Sequence, residues 1–242
     1  MPYVFVVRHL KDGRNFVAKV NGNPREKHIL QLLDNTRPRS KHIITFLGSF
    51  PSTIGEAILL PKCNSVREPG GNQWGYLQFS KDLVEGLAFV HHHKIAHRDI
   101  KPDNLVYSDT SGLQIIDFDV AMKVRDVNQT VDDDVGTEGF RAPETKARNG
   151  RITPYSPIKA DRWSCGRTIQ LFAECAKESD HRRTLRALAT KLVNEDPGCR
   201  KSLQESCGTK GGEMDRTKTV EWDSKPHRFD GQDPTNKRES HR

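Results

Sequence analysis

The stretch 96-AHRDIKPDNLV-106 decides how this sequence is interpreted. Within it, residues 97–104 combine one His, one Arg, two Asp, one Lys and one Asn. A helix would spread these side chains over different faces. Pro102 also opposes a continuous helix, because proline has no N–H group and its ring clashes with the preceding turn. The stretch therefore predicts a loop in which many hydrogen-bonding groups are gathered.

The composition is that of one soluble globular unit, or of two lobes that share a cleft, with polar segments attached. The chain has 242 residues, of which 34% are hydrophobic and 29% are charged. Its N-terminal apolar run, 3-YVFVV-7, is too short for a signal-peptide core or a membrane span. The five cysteines are widely spaced and form no C-x-x-C pair. We expect no membrane partner, no disulfide framework, no structural zinc site and a reducing compartment.

The net charge of +7 is modest for a chain of this length. Such an excess is typical of a solvated surface, although it also favours small anions such as nucleotides. No run rich in Arg and Lys is interleaved with aromatic residues, so nucleic acid is not predicted as a partner.

The first sixty residues are predicted to form a small sheet with one helix. Two β-rich runs, 3–10 and 15–20, flank an Asp-Gly pair that favours a tight hairpin turn. A helix is predicted from Asn23, a capping residue followed by proline, to about residue 34. Short strands are predicted within 42–50 and 56–61.

The rest of the chain is predicted to be mainly helical. Helical spacing of apolar residues follows a Gly-rich loop that begins at residue 70, and two further helices are predicted over 158–176 and 184–193. The run 113–119 has the apolar character of a buried strand. Beyond residue 203 aliphatic residues become rare, so a disordered polar tail is predicted over 204–242. The fold class is α+β.

Four motifs in one order identify a resemblance. HRDIKPDN (97–104), DFD (117–119), GTEGFRAPE (136–144) and DRWSCG (161–166) together resemble a eukaryotic protein kinase domain of the serine/threonine type, over about Tyr3 to Ser202. This resemblance implies a bilobal fold. Its N-lobe, a small antiparallel sheet with one helix, covers about 1–61, and its mainly helical C-lobe covers about 62–203.

The resemblance implies a catalytic role for two residues of the loop. Asp99 corresponds to the residue that accepts or orients the proton of the substrate hydroxyl. Lys101 corresponds to the lysine that steadies the transferred phosphate in serine/threonine kinases. Thr137 matches the position that contacts this aspartate, and with Lys101 it indicates a Ser/Thr protein substrate.

The resemblance also implies residues that hold ATP and Mg²⁺. Asn104 and Asp117 correspond to the metal ligands, and Lys19 to the strand lysine on the α- and β-phosphates. Glu26 is the candidate ion-pair partner of Lys19. An alternative stays open for Glu26, because Asn23 and Glu26 also fit a capping box, in which the glutamate bonds back to the capping residue.

Three further positions correspond to structural residues of the family. Asp161 resembles the helix aspartate that holds the backbone of the catalytic loop. Glu144 resembles the glutamate that pairs with an arginine in a late helix, for which Arg200 is the candidate. The histidine run 91–93 invites a zinc interpretation, but consecutive residues on a helix point in different directions, so metal binding is not predicted there.

Three departures from the family pattern keep a second class of function open. No G-x-G-x-x-G motif occurs in the chain, although in kinases that loop covers the nucleotide phosphates. Asp119 stands where the family has glycine. The segment between the last two predicted helices is too short to hold the usual substrate-docking helix.

A small monomeric kinase of the cytoplasm or nucleus is predicted. The alternatives are a pseudokinase or kinase-derived interaction module, and a truncated product of a longer gene.

In the family, the arginine that corresponds to Arg98 commonly receives a phosphate from the activation segment, whose end corresponds here to residues 142–144. Between residues 118 and 141 the hydroxyl-bearing residues are Thr130 and Thr137. One hypothesis is that the acidic run 132–134 supplies the negative charge instead, and another is that Thr130 is phosphorylated. The run can equally be a solvated turn.

Overall fold

The computed structural model describes residues 2–67, 75–147 and 150–206. An antiparallel sheet with one helix comes first, and mainly helical structure follows. This is the α+β fold class predicted from the sequence. The Gly-rich opening at residues 70–74 and the tail from residue 207 onward lie outside the described residues, so the disorder predicted for the tail stays a prediction.

Four antiparallel strands form the N-terminal sheet, in the order β1-β2-β4-β3. They are β1 (Tyr3–Arg8), β2 (Asn15–Val20), β3 (Gly48–Ser52) and β4 (Gly55–Pro61). The register pairs Val4 with Lys19 and Val6 with Val17. Because directly opposed residues share a face of a sheet, Val4 and Val6 lie on the face that carries Lys19.

The predicted hairpin between β1 and β2 has a longer connection than a two-residue turn. The N–H of His9 donates to the carbonyl of Arg14 (2.8 Å), and the N–H of Gly13 donates to the carbonyl of His9 (2.9 Å). Gly13 takes a φ of +72°, a conformation that glycine adopts without strain. The Asp-Gly pair thus marks the turn correctly, but not its length.

Helix α1 (Pro24–Asn35) begins where its capping signals predict. The side chain of Asn23 accepts a hydrogen bond from the N–H of Arg25 (3.0 Å), and Pro24 occupies the first helical position. Buried Ile29, Leu30 and Leu33 turn one face toward the core. The capping and the apolar spacing agree, which is why this helix could be predicted with both ends nearly correct.

The rest of the described chain contains short strands and four helices. In chain order they are β5 (Asn64–Ser65), α2 (Gly75–His92), β6 (Ile95–Ala96), β7 (Leu105–Ser108), β8 (Gly112–Ile115), β9 (Met122–Lys123), α3 (Pro157–Cys175), α4 (Ser179–Leu192) and α5 (Leu203–Ser206). Strands β5, β7 and β8 form one small antiparallel sheet, and β6 pairs with β9.

The core is centred on α2, whose apolar residues Phe79, Leu83, Leu87 and Val90 are fully buried. Helix α2 packs against α3 and strand β8, and α3 packs against α4. These contacts fix α3 beneath the loop that joins β6 to β7, where the polar stretch 97–104 lies.

Three sequence expectations need correction. Strand structure within 42–50 is limited to its last part, since Ile43 makes only an isolated parallel bridge to Ile115. Strand β7 was not predicted. The last long helix begins at Ser179 rather than 184, so three residues separate it from the end of α3 at Cys175. No helix in the described ranges combines the length and apolar character needed to cross a bilayer.

Candidate active site

The loop between β6 and β7 is held from below by one buried side chain. Asp161 of α3 is fully buried, and its two carboxylate oxygens accept hydrogen bonds from the N–H groups of His97 and Arg98, each at 2.7 Å. Nε2 of His91 lies 3.0 Å from the same carboxylate. The contacts predicted for Asp161 are present, and His91 lies against the same carboxylate.

Asp99 is the centre of a compact hydrogen-bond network. Its two carboxylate oxygens contact Nζ of Lys101 (2.7 Å) and the hydroxyl of Thr137 (2.7 Å), and Lys101 also donates to that hydroxyl (2.6 Å). The side-chain amide of Asn104 donates to the carbonyl (2.8 Å) and the carboxylate (3.1 Å) of Asp99. The Thr137 contact predicted from the sequence is therefore present.

The ionisation of Asp99 follows from this network. Burial by itself raises the pKa of Asp99, but the hydrogen bonds from Lys101 and Thr137 outweigh burial and hold the pKa below its ordinary value. At neutral pH the group is a carboxylate. It can accept or orient the proton of a hydroxyl group, which is what a phosphoryl-transfer site requires of it.

A second cluster surrounds Lys19 on β2. Its Nζ lies 2.6 Å from Asp117 Oδ1, 2.8 Å from Glu26 Oε2 and 3.1 Å from Asp119 Oδ2. The side chains of Lys19 and Glu26 are buried. Burial by itself lowers the pKa of Lys19, but the carboxylates of Glu26 and Asp117 outweigh it and raise the pKa above its ordinary value.

The alternative left open for Glu26 is settled by these contacts. Glu26 turns inward to Lys19 and also accepts a hydrogen bond from the N–H of Phe118 (3.2 Å). The N–H of Asn23, which a capping box would join to Glu26, donates to Asp119 Oδ1 instead (3.2 Å). The ion pair is present and the capping box is not.

The two clusters meet where β8 ends. The N–H of Ile116 donates to the carbonyl of Asn104 (3.0 Å), and Nε2 of His97 lies 3.0 Å from the carbonyl of Ile116. Asp117 follows directly in the chain. All six site residues predicted from the sequence therefore lie in two adjoining contact networks, one around Asp99 and one around Lys19.

Comparison with known proteins agrees with this geometry. A family profile described as "Protein kinase domain" matches residues 4–175. The chain belongs to the protein kinase family.

Several relatives carry kinase names. This chain is 37% identical over 99 residues to a calcium/calmodulin-dependent protein kinase kinase of Caenorhabditis elegans (41% of this chain, 18% of the relative). It is 38% identical over 92 residues to the serine/threonine-protein kinase GRIK2 of Arabidopsis thaliana (38% and 22%). It is 31% identical over 154 residues to a serine/threonine-protein kinase stk11 homolog of Dictyostelium discoideum (60% and 24%). The matched segments span less than a third of each relative's length.

The donor set of the kinase site suits a hard divalent cation. Glu26, Asp117 and Asp119 each offer a carboxylate oxygen, and the three oxygens lie within 4.8 Å of one another. Oxygen ligands of this kind are those that Mg²⁺ prefers. Asn104 has its amide nitrogen engaged by Asp99, so the amide oxygen is the atom left to bind a cation.

Asp119 adds contacts that sequence reasoning did not foresee. Besides reaching Lys19, it accepts two hydrogen bonds from Asn23, one on its carboxylate (3.2 Å) and one on its backbone carbonyl (2.9 Å). The left-handed backbone in this segment falls on Asp117 (φ 65°) and not on residue 119. Replacing the family's glycine by Asp119 therefore changes the charge of the site without requiring a left-handed backbone there.

The acidic run 132–134 is partly engaged in ion pairs. Asp133 pairs with Arg98, whose side chain is only 8% exposed, and Asp134 pairs with Arg141. The hydroxyl of Tyr155 donates to the carbonyl of Asp133 (3.0 Å). Of the hypotheses raised by the sequence, the structure thus brings the acidic run to Arg98. Apart from their opposite charges, nothing in the sequence predicted the ion pair between Arg141 and Asp134.

A buried ion pair joins Glu144, at the end of the activation segment, to Arg200 near the C-terminal end of the described chain. Arg200 has a fully buried side chain and makes two parallel bonds to Glu144, at 2.6 and 2.7 Å. It also donates to the carbonyls of Lys159 (3.0 Å) and Asn194 (2.8 Å). This is the pair predicted from the sequence, and its bidentate geometry is the strongest form of such a contact.

Proposed function

We propose that this chain is a protein serine/threonine kinase that transfers the γ-phosphoryl group of Mg-ATP to a protein hydroxyl. The observation that carries the proposal is the network in which Lys101, Thr137 and Asn104 all contact Asp99. A carboxylate held ionised by a lysine and a threonine suits the orientation of an incoming hydroxyl group. The family membership and the names of the relatives support the same reaction class.

Each residue of the site has a distinct role in the proposed reaction. Asp99 accepts or orients the proton of the substrate hydroxyl, and Lys101 steadies the transferred phosphoryl group. Lys19, held by Glu26, binds the α- and β-phosphates. Together with the Thr137 contact, Lys101 supports serine or threonine as the acceptor.

Asn104 and Asp117 are the proposed metal ligands. Bound Mg-ATP supplies the phosphoryl group, and its cation neutralises charge on the phosphates. The chain's own contribution is to position oxygen ligands and one ammonium group on neighbouring loops, so that little rearrangement is needed when the nucleotide binds. The proposed substrate is a protein, and we propose a monomer of the cytoplasm or nucleus without a nucleic-acid or membrane partner.

A second candidate function is that of a kinase-derived interaction module with weak or no ATP binding. It is favoured by the absence of a G-x-G-x-x-G motif from the sequence and by the crowding of carboxylates around Lys19. Backbone N–H groups of that motif cover the phosphates in other kinases, so nucleotide affinity here depends more heavily on Lys19 and the cation.

Calorimetric titration of the full chain with Mg-ATP tests the proposal. The variants are Lys19→Met and Asp117→Asn, with Lys191→Met on the exposed face of α4 as the matched control. Each site variant should bind at least about tenfold more weakly, because each loses a charge-assisted contact. The control should bind like the wild type.

Phosphotransfer to a generic Ser/Thr protein substrate then tests catalysis. Asp99→Asn should lower the rate by about a hundredfold or more while leaving Mg-ATP affinity nearly unchanged. A folded wild-type chain that binds no Mg-ATP would overturn the kinase proposal and leave the interaction module. Binding without transfer, in the wild type and Asp99→Asn alike, would also count against the enzyme.

A further inference from the structure

Asp119 takes over a bond that α1 would otherwise make within itself. In a capping box the glutamate at the third helical position bonds back to the N–H of the capping residue. Here Glu26 occupies that position, yet the N–H of Asn23 donates to Asp119, 96 residues away in sequence. Glu26 is thereby free to face Lys19. Asp119 thus joins the start of α1 to the segment that carries Asp117.

Asp119 also contacts the ammonium group of Lys19. The ammonium group has three N–H donors and no acceptor. Three carboxylate oxygens, from Asp117, Glu26 and Asp119, lie within 3.1 Å of Nζ. Of the three contacts, the one with Asp117 is a hydrogen bond, and Glu26 Oε2 has no hydrogen-bond partner among the described residues, so a phosphate oxygen competes with these carboxylates for the positive charge and for the space around the ammonium.

Asp119 is the carboxylate best placed to withdraw. Its distance from Nζ, 3.1 Å, is the longest of the three, whereas Glu26 is almost wholly buried and Asp117 makes the shortest contact. The Asp119 side chain is 25% exposed and that of Asp117 is 35% exposed, so both carboxylates can reach a cation, and it is the longer contact with Nζ that distinguishes Asp119 from Asp117.

We propose that Asp119 competes with phosphate for Lys19 and so makes phosphate binding at this site conditional on a divalent cation. Without a cation, the Asp119 carboxylate blocks the ammonium and repels a polyphosphate through its negative charge. With a cation present, Asp117 and Asp119 offer it their oxygens, and Lys19 is released to the phosphates. The proposal rests on the proposed function only in taking that polyphosphate to be a nucleotide.

The test measures polyphosphate binding with and without metal. Full-length wild type, Asp119→Asn and Asp119→Gly are titrated with inorganic tripolyphosphate and with ATP, first in a chelator and then in excess Mg²⁺. Asp119→Asn keeps an acceptor for the N–H of Asn23 but removes the charge, and Asp119→Gly removes the side chain. Asp180→Asn, the same change at an exposed position on α4, is the matched control.

In the chelator, Asp119→Asn should bind tripolyphosphate about tenfold more tightly than the wild type, because one nearby like charge has been removed. The factor by which Mg²⁺ improves ATP binding should shrink correspondingly. Thermal unfolding of each variant shows whether the fold is retained, and the asparagine variant keeps the test valid if the glycine variant unfolds.

If folded Asp119→Asn binds tripolyphosphate in the chelator no more tightly than the wild type, or not detectably, the proposed competition is wrong. This holds whatever affinity is measured for Mg-ATP. A gain of the same size in Asp180→Asn would also overturn it, since the effect would then be one of net charge. Mg-ATP binding by the wild type without a metal-free gain in Asp119→Asn would leave the kinase proposal intact. A metal-free gain in Asp119→Asn together with no Mg-ATP binding by the wild type would support the competition and contradict the kinase proposal.

Discussion

At the scale of single residues, Thr137 controls how well Asp99 can act. Its hydroxyl donates to the Asp99 carboxylate and accepts from Lys101, so Thr137→Val removes both bonds. We expect the pKa of Asp99 to rise towards its ordinary value. Because Asp99 acts as a carboxylate, a raised pKa moves the acidic limb of the kcat/KM profile to higher pH. At neutral pH Asp99 stays ionised in the variant, so the fall of about tenfold in kcat/KM expected there comes from losing the hydroxyl that positions the carboxylate.

The pH profile of phosphotransfer checks this expectation. Thr190→Val provides the control, because its hydroxyl lies on α4 and, among the described residues, donates to the carbonyl of Arg186 one turn earlier. The control should match the wild type over the whole range. An acidic limb that stays in place in Thr137→Val, even with a reduced rate, would mean that the hydroxyl does not set the ionisation of Asp99.

The site residues were predictable because their motifs specify them at fixed spacing. Lys101, Asn104 and Asp117 required only the stretches HRDIKPDN and DFD. Glu26 was not decidable in this way, because one glutamate at the third helical position suits both a capping box and an ion pair. The residue that decides between them is Asp119, and a contact across 96 residues leaves no trace in a local pattern.

At the scale of segments, the acidic run 132–134 fastens the activation segment to the catalytic loop. Asp133 provides the counter-charge for the nearly buried Arg98, which is adjacent to Asp99. Asp133→Asn should therefore lower kcat/KM by about tenfold, since a buried guanidinium loses its charged partner. The segment 125–147 should also become more sensitive to limited proteolysis, because it loses a contact that orders it.

The same run provides its own control. Asp132 is exposed and has no ion pair in the part of the chain that the structure describes, so Asp132→Asn should behave like the wild type in both assays. Equal effects of the two substitutions would show that only the total negative charge of the run matters. No effect of either would support the solvated turn.

Elements with their own end signals were predictable, and elements made by long-range pairing were not. Helix α3 begins after the capping Ser156 with proline at its first position, both of which are visible in the sequence. Strand β7 exists because it pairs with β5 and β8, and Ile43 is extended because it meets Ile115. Pairing of this kind depends on the arrangement of the whole chain, which no local periodicity encodes.

At the scale of the whole molecule, a run of exposed apolar side chains lies along the edge of the N-terminal sheet. Strand β1 is an edge strand, and Tyr3, Val4, Phe5 and Val6 are between 45% and 62% exposed. An exposed apolar edge strand is a template for pairing with another chain. The monomer predicted from the sequence is therefore expected at low protein concentration, with reversible self-association as the concentration rises.

Phe5→Lys tests whether this edge drives the association. By register Phe5 lies opposite Ala18, on the face of the sheet away from Lys19, so the charge should not disturb the site. Sedimentation should show the variant monomeric at concentrations where the wild type associates, because a charged edge resists strand pairing. Mg-ATP affinity should be unchanged. Equal association of both chains would place the contact elsewhere, and Leu10→Lys, at a loop residue that is almost fully exposed, would then be the next variant to compare.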